Sequence, residues 1–387
     1  MYPTISHLLF DLFGVKIPLP IQTFGFWVAI AFLVAAWLLT KELKRKEKEG
    51  FLNPTVVKVI IGKRLSITEI FSSIITGFLI GFKGIEAILD YADLVANPQD
   101  FILSSTGNMI GGLLIAGLSI YLKWKENNKT RLDTPKEIEK TIHPYQLVGN
   151  MTMIAAVSGI IGAKLFHNLE NIGEFMADPI GQLMAFSGLT FYGGLIAGAV
   201  SVIWYAKKYK INILQLIDAT APSLMIAYGV GRIGCMMSGD GDWGIENLAP
   251  KPEWMTYLPD WMWSYTFPHN VIRYGVKMID CGDVFWHPYC KELANPVWPT
   301  AFYEVIMAML IFTILWTIRK RITIPGVLFC IYLALNGIER FWIEKVRINT
   351  EYNILGGVTQ AEIISSCLVL IGLLGCIILY KNKRATQ

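Results

Sequence analysis

Apolar residues along this chain occur in long runs that are separated by short polar or charged stretches. A helix needs roughly 20 apolar residues to cross the hydrocarbon core of a bilayer. Windows of that length lie near 21–40, 67–90, 105–124, 146–168, 186–206, 216–238, 301–318, 325–345 and 361–380. The pattern predicts an all-α, polytopic transmembrane helix bundle of about nine spans, forming one membrane domain over residues 1–387.

Lysine and arginine residues cluster at alternate ends of these windows. The cation-rich segments read KELKRKEKEG, KWKENNKTRLDTPKEIEK, AKKYK, RKRIT and KNKR, whereas loops 91–104 and 169–185 contain no Lys or Arg. Cations near span ends stay on the cytoplasmic side, so we expect the N-terminus outside and the C-terminus in the cytoplasm. The first fifteen residues lack the basic region of a cleavable signal, so the first span is expected to be retained.

Composition supports a membrane protein and excludes a nucleic-acid partner. Only 17% of the 387 residues are charged and 53% are hydrophobic, with a mean hydropathy of +0.46, against about 25% charged residues in soluble domains. The net charge of +4 comes from cations beside the predicted spans, where they face anionic headgroups. We therefore expect membrane lipid, and no nucleic acid, as a partner.

Two stretches of the chain resemble each other. SSTGNMIGGLLIAGLSIYLKWK starts at Ser104, and FSGLTFYGGLIAGAVSVIWYAKK starts at Phe186. The spans before them share a Gly-x-Lys pattern at an offset of 81 residues. We interpret 65–140 as an inserted helix pair with a cytoplasmic loop, and we expect it to be a duplicate of 146–207. The alternative is that both regions share only the small residues that membrane helices use for packing.

The segment 239–300 is the longest polar stretch, and it is rich in tryptophan. Because Trp is enriched at the headgroup layer, we predict an extracytoplasmic cap loop. Cys281 and Cys290 lie in it, and the oxidising environment on that side favours a disulfide; a metal site with His287 is the alternative. The six cysteines show no zinc-type spacing, and we predict no metal and no cofactor.

Two clusters of charged residues lie near the outer ends of predicted spans. The first contains Tyr228, Arg232, Asp240 and Asp242 among several glycines, and the second contains Arg340, Glu344 and Arg347. Residues of the second cluster recur at i, i+4 and i+7, which predicts one helical face. Ionisable residues inside spans usually mark function, and the guanidinium fork matches phosphate oxygens. The two clusters together predict a site for a lipid phosphate.

Simpler explanations exist for both clusters. Arg232 can instead extend along the span and place its charge in the headgroup layer. Arg340 and Glu344 can merely neutralise each other within one helix.

The glycine-rich run resembles a known family signature. GRIGCMMSGDGDWG at 231–244 is similar to the G-R-I-G-N-F-x-N-G-E signature of prolipoprotein diacylglyceryl transferases. FYGGLIAG resembles their H-G-G-L span, PTAFYE at 299–304 their P-x-x-x-Y-E, ERFWIEKVR their R-x-x-x-E, and TFG at 23–25 their Tyr-Gly pair. The order of the motifs also agrees. The resemblance covers nearly the whole chain except 65–140, so that seven family-like spans plus the inserted pair make nine.

The resemblance implies a transferase that moves the diacylglyceryl group of phosphatidylglycerol onto the lipobox cysteine of a prolipoprotein signal peptide. The reaction makes a thioether and releases glycerol phosphate. It implies phosphatidylglycerol and prolipoproteins as partners, and a multi-pass protein of the bacterial plasma (inner) membrane.

The resemblance also carries candidate site residues. Those predicted to be catalytic are Arg232, Arg340, Tyr192, Asp240 and Glu344. Those predicted to bind substrate are Gly193, Gly194, Gly231, Gly234, Ser238, Gly239, Asp242, Gly244, Tyr303, Glu304, Arg347 and Lys164. Arg232 and Arg340 would stabilise the leaving phosphate. A tyrosine with a pKa near 10 stays protonated at neutral pH, so Tyr192 is a poor base for a thiol whose pKa is near 8.5. Asp240, Asp242 and Glu344 remain the candidates for the base.

The chain departs from the family pattern at several positions. Tyr192 stands for the family histidine, Cys235 and Ser238 for two asparagines, and Asp240 for the glutamate, with Gly241 and Asp242 inserted after it. Phe24 stands for the tyrosine of the first span.

These departures leave open a catalytically silent protein that binds lipoprotein precursors. A transporter is a further alternative, since internal repeats are typical of carriers. The charged residues nevertheless crowd the outer halves of two spans, with Lys164 and His167 as the exception.

Overall fold

The computed structural model describes residues 1–185, 188–348, 351–352 and 357–385. These residues form mainly α-helices: α1 (Ile5–Phe13), α2 (Thr23–Lys48), α3 (Ile67–Leu89), α4 (Tyr91–Ala96), α5 (Pro98–Leu103), α6 (Met109–Thr130), α7 (Val148–Glu170), α8 (Ile172–Ala177), α9 (Pro179–Met184), α10 (Phe191–Lys208), α11 (Ile213–Ser238), α12 (Thr300–Ile318), α13 (Val327–Glu344) and α14 (Gln360–Ala385). The fold is that of a mostly helical membrane protein.

Nine helices of at least 18 residues, counted within the described ranges, lie on the nine apolar windows. Six of them are long and apolar enough to cross a membrane: α2, α3, α7 with the turn before it, α11, α12 and α14. Helix α13 is more polar because it carries Glu339, Arg340 and Glu344. The structure thus confirms a multi-span helical protein, while the count of nine spans and their orientation stay predictions.

Short strands supplement the helices and were not predicted. β1 (Thr55–Ile61) pairs antiparallel with β2 (Lys136–Ile142), so that Thr55 lies opposite Ile142. The smaller pairs are β3 (Val276–Lys277) with β4 (Lys291–Glu292), and β5 (Glu351–Tyr352) with β6 (Val358–Thr359). The β-branched run TVVKVII of β1 suits a strand. The all-α expectation is therefore corrected to a mostly helical fold with three small sheets.

Two compact units divide the chain. The first unit contains residues 1–53, 144–152 and 205–387, and the second contains 54–143 and 153–204. Helix α11 lies at the centre of the first unit. One of its faces packs Ala221 and Met225 against Ala308 of α12, and another packs Ile226 against Ala31 of α2. The core of this unit therefore surrounds α11.

The second unit contains two similarly built helix pairs. In each, a long helix is followed by two six-residue helices and then by another helix, as α3 to α6 and as α7 to α10. A side chain at Gly81 would overlap the carbonyl oxygen of Gly111, and one at Gly162 would overlap that of Gly193. The glycines thus allow close helix approach in both pairs, which is the role that small residues have in membrane helices.

The cap segment 239–300 folds around a small core of its own, made by Trp243, Phe267, Leu293 and Val297. Cys281 and Cys290 are joined by a disulfide with Cα atoms 5.4 Å apart. The predicted disulfide is confirmed, and it leaves neither of these thiols for a metal site with His287.

Candidate functional site

Arg232 lies on the last turns of α11 and points toward carboxylates. Its Nε atom is 3.0 Å from Oε2 of Glu304, and Nη1 donates to Oδ2 of Asp242. The side chain is 17% exposed. An arginine that merely extended toward the headgroups would not need two carboxylate partners. The geometry therefore favours a built site over a snorkelling side chain.

Glu304 is the centre of this site. It lies on the first turns of α12 and is fully buried. Besides Arg232, it accepts from Nη1 of Arg340 and Nη1 of Arg347, both at 3.3 Å, and from the hydroxyl of Tyr228 at 3.0 Å. A buried carboxylate is tolerated only when it is paired. We call Arg232, Arg340, Arg347, Glu304 and Asp242 the arginine cluster.

The second charged segment reaches this cluster in a different way from the one predicted. Arg340 and Glu344 form the expected i, i+4 ion pair on α13 at 2.7 Å. Arg347 lies beyond the end of α13, so the helical face does not continue to i+7. Its Nη2 instead donates to Oδ1 of Asp242 at 2.6 Å. Glu344 also accepts from the hydroxyl of Thr359 at 2.9 Å.

Two aspartates follow the end of α11 and differ in their environments. Burial raises the pKa of Asp240 above its ordinary value, and the carboxylate of Asp242 raises it further. Burial would also raise the pKa of Asp242, but Arg232 and Arg347 outweigh this effect and hold that pKa below its ordinary value. The side chain of Asp242 therefore stays ionised, and Asp240 is the more basic of the two carboxylates.

Cys235, Asp240 and Asp242 offer atoms that lie within 4.8 Å of one another, the spacing of a metal site. Asp242 already pairs with two arginines, whose positive charges would repel a cation. The arrangement is better suited to an anion, because carboxylate-paired arginines can exchange partners with phosphate oxygens.

Several predicted substrate contacts have a packing or folding role. A side chain at Gly234 would press on Trp27 of α2, and one at Gly244 would overlap the carbonyl oxygen of Val346. Gly239 ends α11 in the left-handed conformation, with φ of +64°. Ser238 is fully buried.

The remaining predicted contacts of the first unit are few. The hydroxyl of Tyr303 donates to the carbonyl of Met262 at 2.8 Å and so ties the cap to α12. A Cβ added to Gly231 would meet open space, with no atom outside the surrounding turns of α11 within 4 Å.

The other predicted residues belong to the second unit. Tyr192, Gly193 and Gly194 begin α10, where Gly193 packs against Gly162. Lys164 is buried on α7. Their participation in the site stays a prediction.

Sequence reasoning missed Glu339. It is buried on α13 and accepts from the hydroxyl of Tyr228 at 3.3 Å, and Tyr228 in turn bonds Glu304. A signal was present, since an ionisable residue inside an apolar window is a functional candidate by default.

These observations define a class: a multi-span helical membrane protein in which three arginines converge on buried carboxylates near the ends of α11, α12 and α13. The profile of the prolipoprotein diacylglyceryl transferase family matches residues 109–378. The chain belongs to this family, as its motifs predicted. The match begins inside the segment 65–140.

Curated relatives carry the name phosphatidylglycerol–prolipoprotein diacylglyceryl transferase. One from Dehalococcoides mccartyi is 26% identical over 63% of this chain and 80% of its own length. One from Corynebacterium glutamicum is 27% identical over 62% of this chain and 72% of its own. One from Oceanobacillus iheyensis is 25% identical over 71% of this chain and 85% of its own. The predicted transferase of lipoprotein maturation is thereby confirmed.

Proposed function

We propose that this chain transfers the diacylglyceryl group of phosphatidylglycerol to the lipobox cysteine thiol in the signal peptide of a prolipoprotein. The observation that carries this proposal is the convergence of Arg232, Arg340 and Arg347 on Glu304 and Asp242. Three guanidinium groups at one level can bind the phosphodiester of the donor lipid.

The chemistry needs charge stabilisation at the leaving group. The thiolate sulfur forms a bond to the glycerol carbon, the bond from that carbon to the phosphate oxygen breaks, and its electron pair stays on the oxygen. Arg232 and Arg340 place positive charge where this negative charge develops. The thiol proton goes to a protein base and from there to the released glycerol phosphate.

Asp240 is the base that the site supports best. Burial and the neighbouring Asp242 raise its pKa, and a carboxylate with a raised pKa accepts a proton from a thiol more readily. Glu344 is paired with Arg340 and therefore orients that arginine. Tyr192 stands in the position of the family histidine, and Tyr192, Gly193, Gly194 and Lys164 are carried over as substrate contacts on their motifs alone.

The remaining predicted contacts fall into two groups. Gly231 borders open space and leaves room beside Arg232 for the donor lipid. Ser238, Gly239, Gly244 and Tyr303 shape the wall of the site by holding the cap and the end of α11.

The chain spans the plasma (inner) membrane of a bacterium nine times in this proposal, with the cap outside and the C-terminus in the cytoplasm. The alternation of cation-rich and cation-free loops supports this orientation. Lys125→Cys, in a background without other reactive thiols, should resist an impermeant thiol reagent in intact cells and react after the membrane is opened. Labelling of this cysteine in intact cells would show that the proposed orientation is wrong.

Residues 65–140 are a duplicate of 146–207 in this proposal, and the two lie within a single membrane domain. The shared helix order and the matching glycine contacts support common origin. The duplicate lacks the tyrosine of the site, because Ile110 stands where the second copy has Tyr192.

The decisive test is complementation of a bacterium depleted of its own transferase, with the mass of a lipoprotein as the readout. Expression of this chain should restore the mass gain of one diacylglyceryl group, and Arg232→Ala at matched expression should not. A chain that binds the precursor without changing its mass would be a silent binder, and the proposal would be wrong.

A further inference from the structure

We propose, building on the proposed function, that Asp242 occupies the position of the donor's phosphate when no lipid is bound, and that the phosphate ester displaces it. Asp242 is then a positioning residue that keeps two arginines in place between turnovers and competes with the substrate.

The geometry of Asp242 resembles that of a bound phosphodiester. Its two carboxylate oxygens diverge to different arginines, Oδ2 to Arg232 and Oδ1 to Arg347 at 2.6 Å. A phosphodiester has two non-ester oxygens of like charge and can bridge the same two guanidinium groups. The carboxylate and the phosphate therefore compete for the same donors.

The two carboxylates of the cluster differ in how firmly they are held. Glu304 is fully buried on a helix and contacts three arginines and Tyr228. Asp242 lies in the loop after α11, and its side chain is 33% exposed. An anion that enters from the surface can reach the partly exposed Asp242, whereas Glu304 has no exposed surface at which an anion could replace it. Asp242 is thus the exchangeable member.

The backbone of Asp242 is fixed, so exchange requires only its side chain to turn. Its carbonyl oxygen accepts from the hydroxyl of Thr300 at 2.9 Å. Gly241 before it has φ of +101°, a conformation that residues with a Cβ rarely adopt. This turn delivers the carboxylate to the arginines.

Competition of this kind lowers the apparent affinity for the donor. The apparent dissociation constant equals the intrinsic one divided by the fraction of molecules in which the site is open. If about one molecule in ten is open, removal of the Asp242 charge should tighten donor binding about tenfold. The same change deprives buried arginines of a counterion, so the lipid-free protein should become less stable.

Asp242→Asn separates these effects, because it keeps the shape and removes the charge. In detergent micelles, the phosphatidylglycerol concentration that half-saturates transfer to a lipobox peptide should fall about tenfold. Inhibition by glycerol 1-phosphate should tighten by a similar factor. Without lipid, the variant should unfold at a lower temperature than wild type. Added phosphatidylglycerol should raise the unfolding temperature of the variant more than that of wild type.

Asp260→Asn is the matched control, since Asp260 also pairs with a cation, Lys251, at 2.9 Å but lies in the cap away from the cluster. It should leave donor saturation unchanged. Separate titrations with inorganic phosphate and glycerol 1-phosphate distinguish recognition of phosphate alone from recognition of the glyceryl ester.

Weaker donor binding by Asp242→Asn, or equal loss of stability with and without lipid, would make Asp242 a fixed structural tether and overturn the inference. So would a variant that fails to fold even when it is purified in phosphatidylglycerol. If wild type transfers nothing, the proposed function fails, but tighter glycerol 1-phosphate binding by the variant would still support the exchange.

Discussion

The first unit has buried ion pairs at both ends of α12, and the two groups of ion pairs are built from different elements. At one end, the arginine cluster joins the end of α11 to the start of α12. At the other, Glu42 of α2 is buried and pairs with Arg319 at the end of α12, at 3.1 Å, and with Arg45. We call Glu42, Arg45, Arg319 and Glu49 the Glu42 cluster. The exposed fractions of the arginines are similar at the two ends, 13–15% against 11–26%.

The difference lies in where the partners come from. Arg45 pairs with Glu42 and Glu49 at i, i+3 and i, i+4 spacings on one helix, and Arg319 stacks 3.4 Å above the ring of Trp316. The arginine cluster instead draws its members from α11, the cap loop, α12, α13 and the segment after it. A buried ion pair by itself does not identify a functional site. The arginine cluster is proposed as the site because side chains from separate elements converge on one buried carboxylate, that of Glu304.

The largest effect is expected from substitution of Arg232, and it tests whether the two ends of α12 differ in function. Arg232→Lys keeps the charge but loses the planar fork, and Lys should not restore activity. Loss of one partner of a buried pair costs about 3–5 kcal/mol, which corresponds to roughly 2 to 4 decades of rate if it is felt in the transition state. Arg232→Ala should show the full loss, with Lys recovering only part of it. The assay is transfer of labelled glyceryl lipid to a lipobox peptide in detergent.

Arg319→Lys is the control at the other end, because Arg319 pairs with Glu42 and has no contact with the arginine cluster in the part of the chain that the structure describes. If the protein remains folded, this change should alter the rate by less than about threefold. If both Arg232 variants keep activity within about twofold of wild type, Arg232 has only a structural role, as expected for Arg319. The phosphate would then be held by Arg340 and Arg347.

An intermediate effect is expected inside the arginine cluster. Arg340→Ala should lower the rate by about one to two decades, because hydrogen bonds to charged groups contribute about 1.5–3 kcal/mol. Glu344→Gln should cost less, since glutamine can still accept from Thr359. Saturation curves for phosphatidylglycerol with both variants would measure this order. Equal activity of Arg340→Ala and wild type at matched expression would remove Arg340 from the site.

The smallest effect concerns the cap, which only the Arg232 end carries. His7 of α1 stacks on Phe285 of the cap, with ring centroids 4.4 Å apart, and bonds its carbonyl oxygen at 3.1 Å. Burial lowers the pKa of His7, although the bond to Phe285 acts in the opposite direction. The neutral ring is therefore favoured in the folded protein.

Stability from this contact should be complete above the unfolded pKa, about 6.5, and should be lost as the pH falls through the lower folded value. Thermal unfolding in detergent at pH 7.5 and pH 5.5 would measure the loss, expected to be about 2 °C or more. His7→Phe keeps an aromatic ring and should reduce the dependence on pH. An unchanged dependence in that variant would assign the effect to other groups, beginning with His269, whose pKa burial also lowers.

The apolar windows predicted the positions of the nine long helices because span length is a local property of the chain. The Arg340–Glu344 pair and the Cys281–Cys290 disulfide were also accessible from the sequence, since their partners are four and nine residues apart. The family was recognised from short motifs for the same reason, because each motif is contiguous.

Only the tertiary structure showed that Glu304 is the centre of the site and that Glu339 belongs to it. Their partners lie between 36 and 111 residues away along the chain, and no periodicity relates such distances. The β1–β2 pairing and the contact of Arg347 with Asp242 were hidden for the same reason. Local spacing determined which segments form long apolar helices and which residues carry charge. Folding of separate helices against α11 decided which charges meet, because burial removes water and leaves each arginine to pair with the nearest carboxylate.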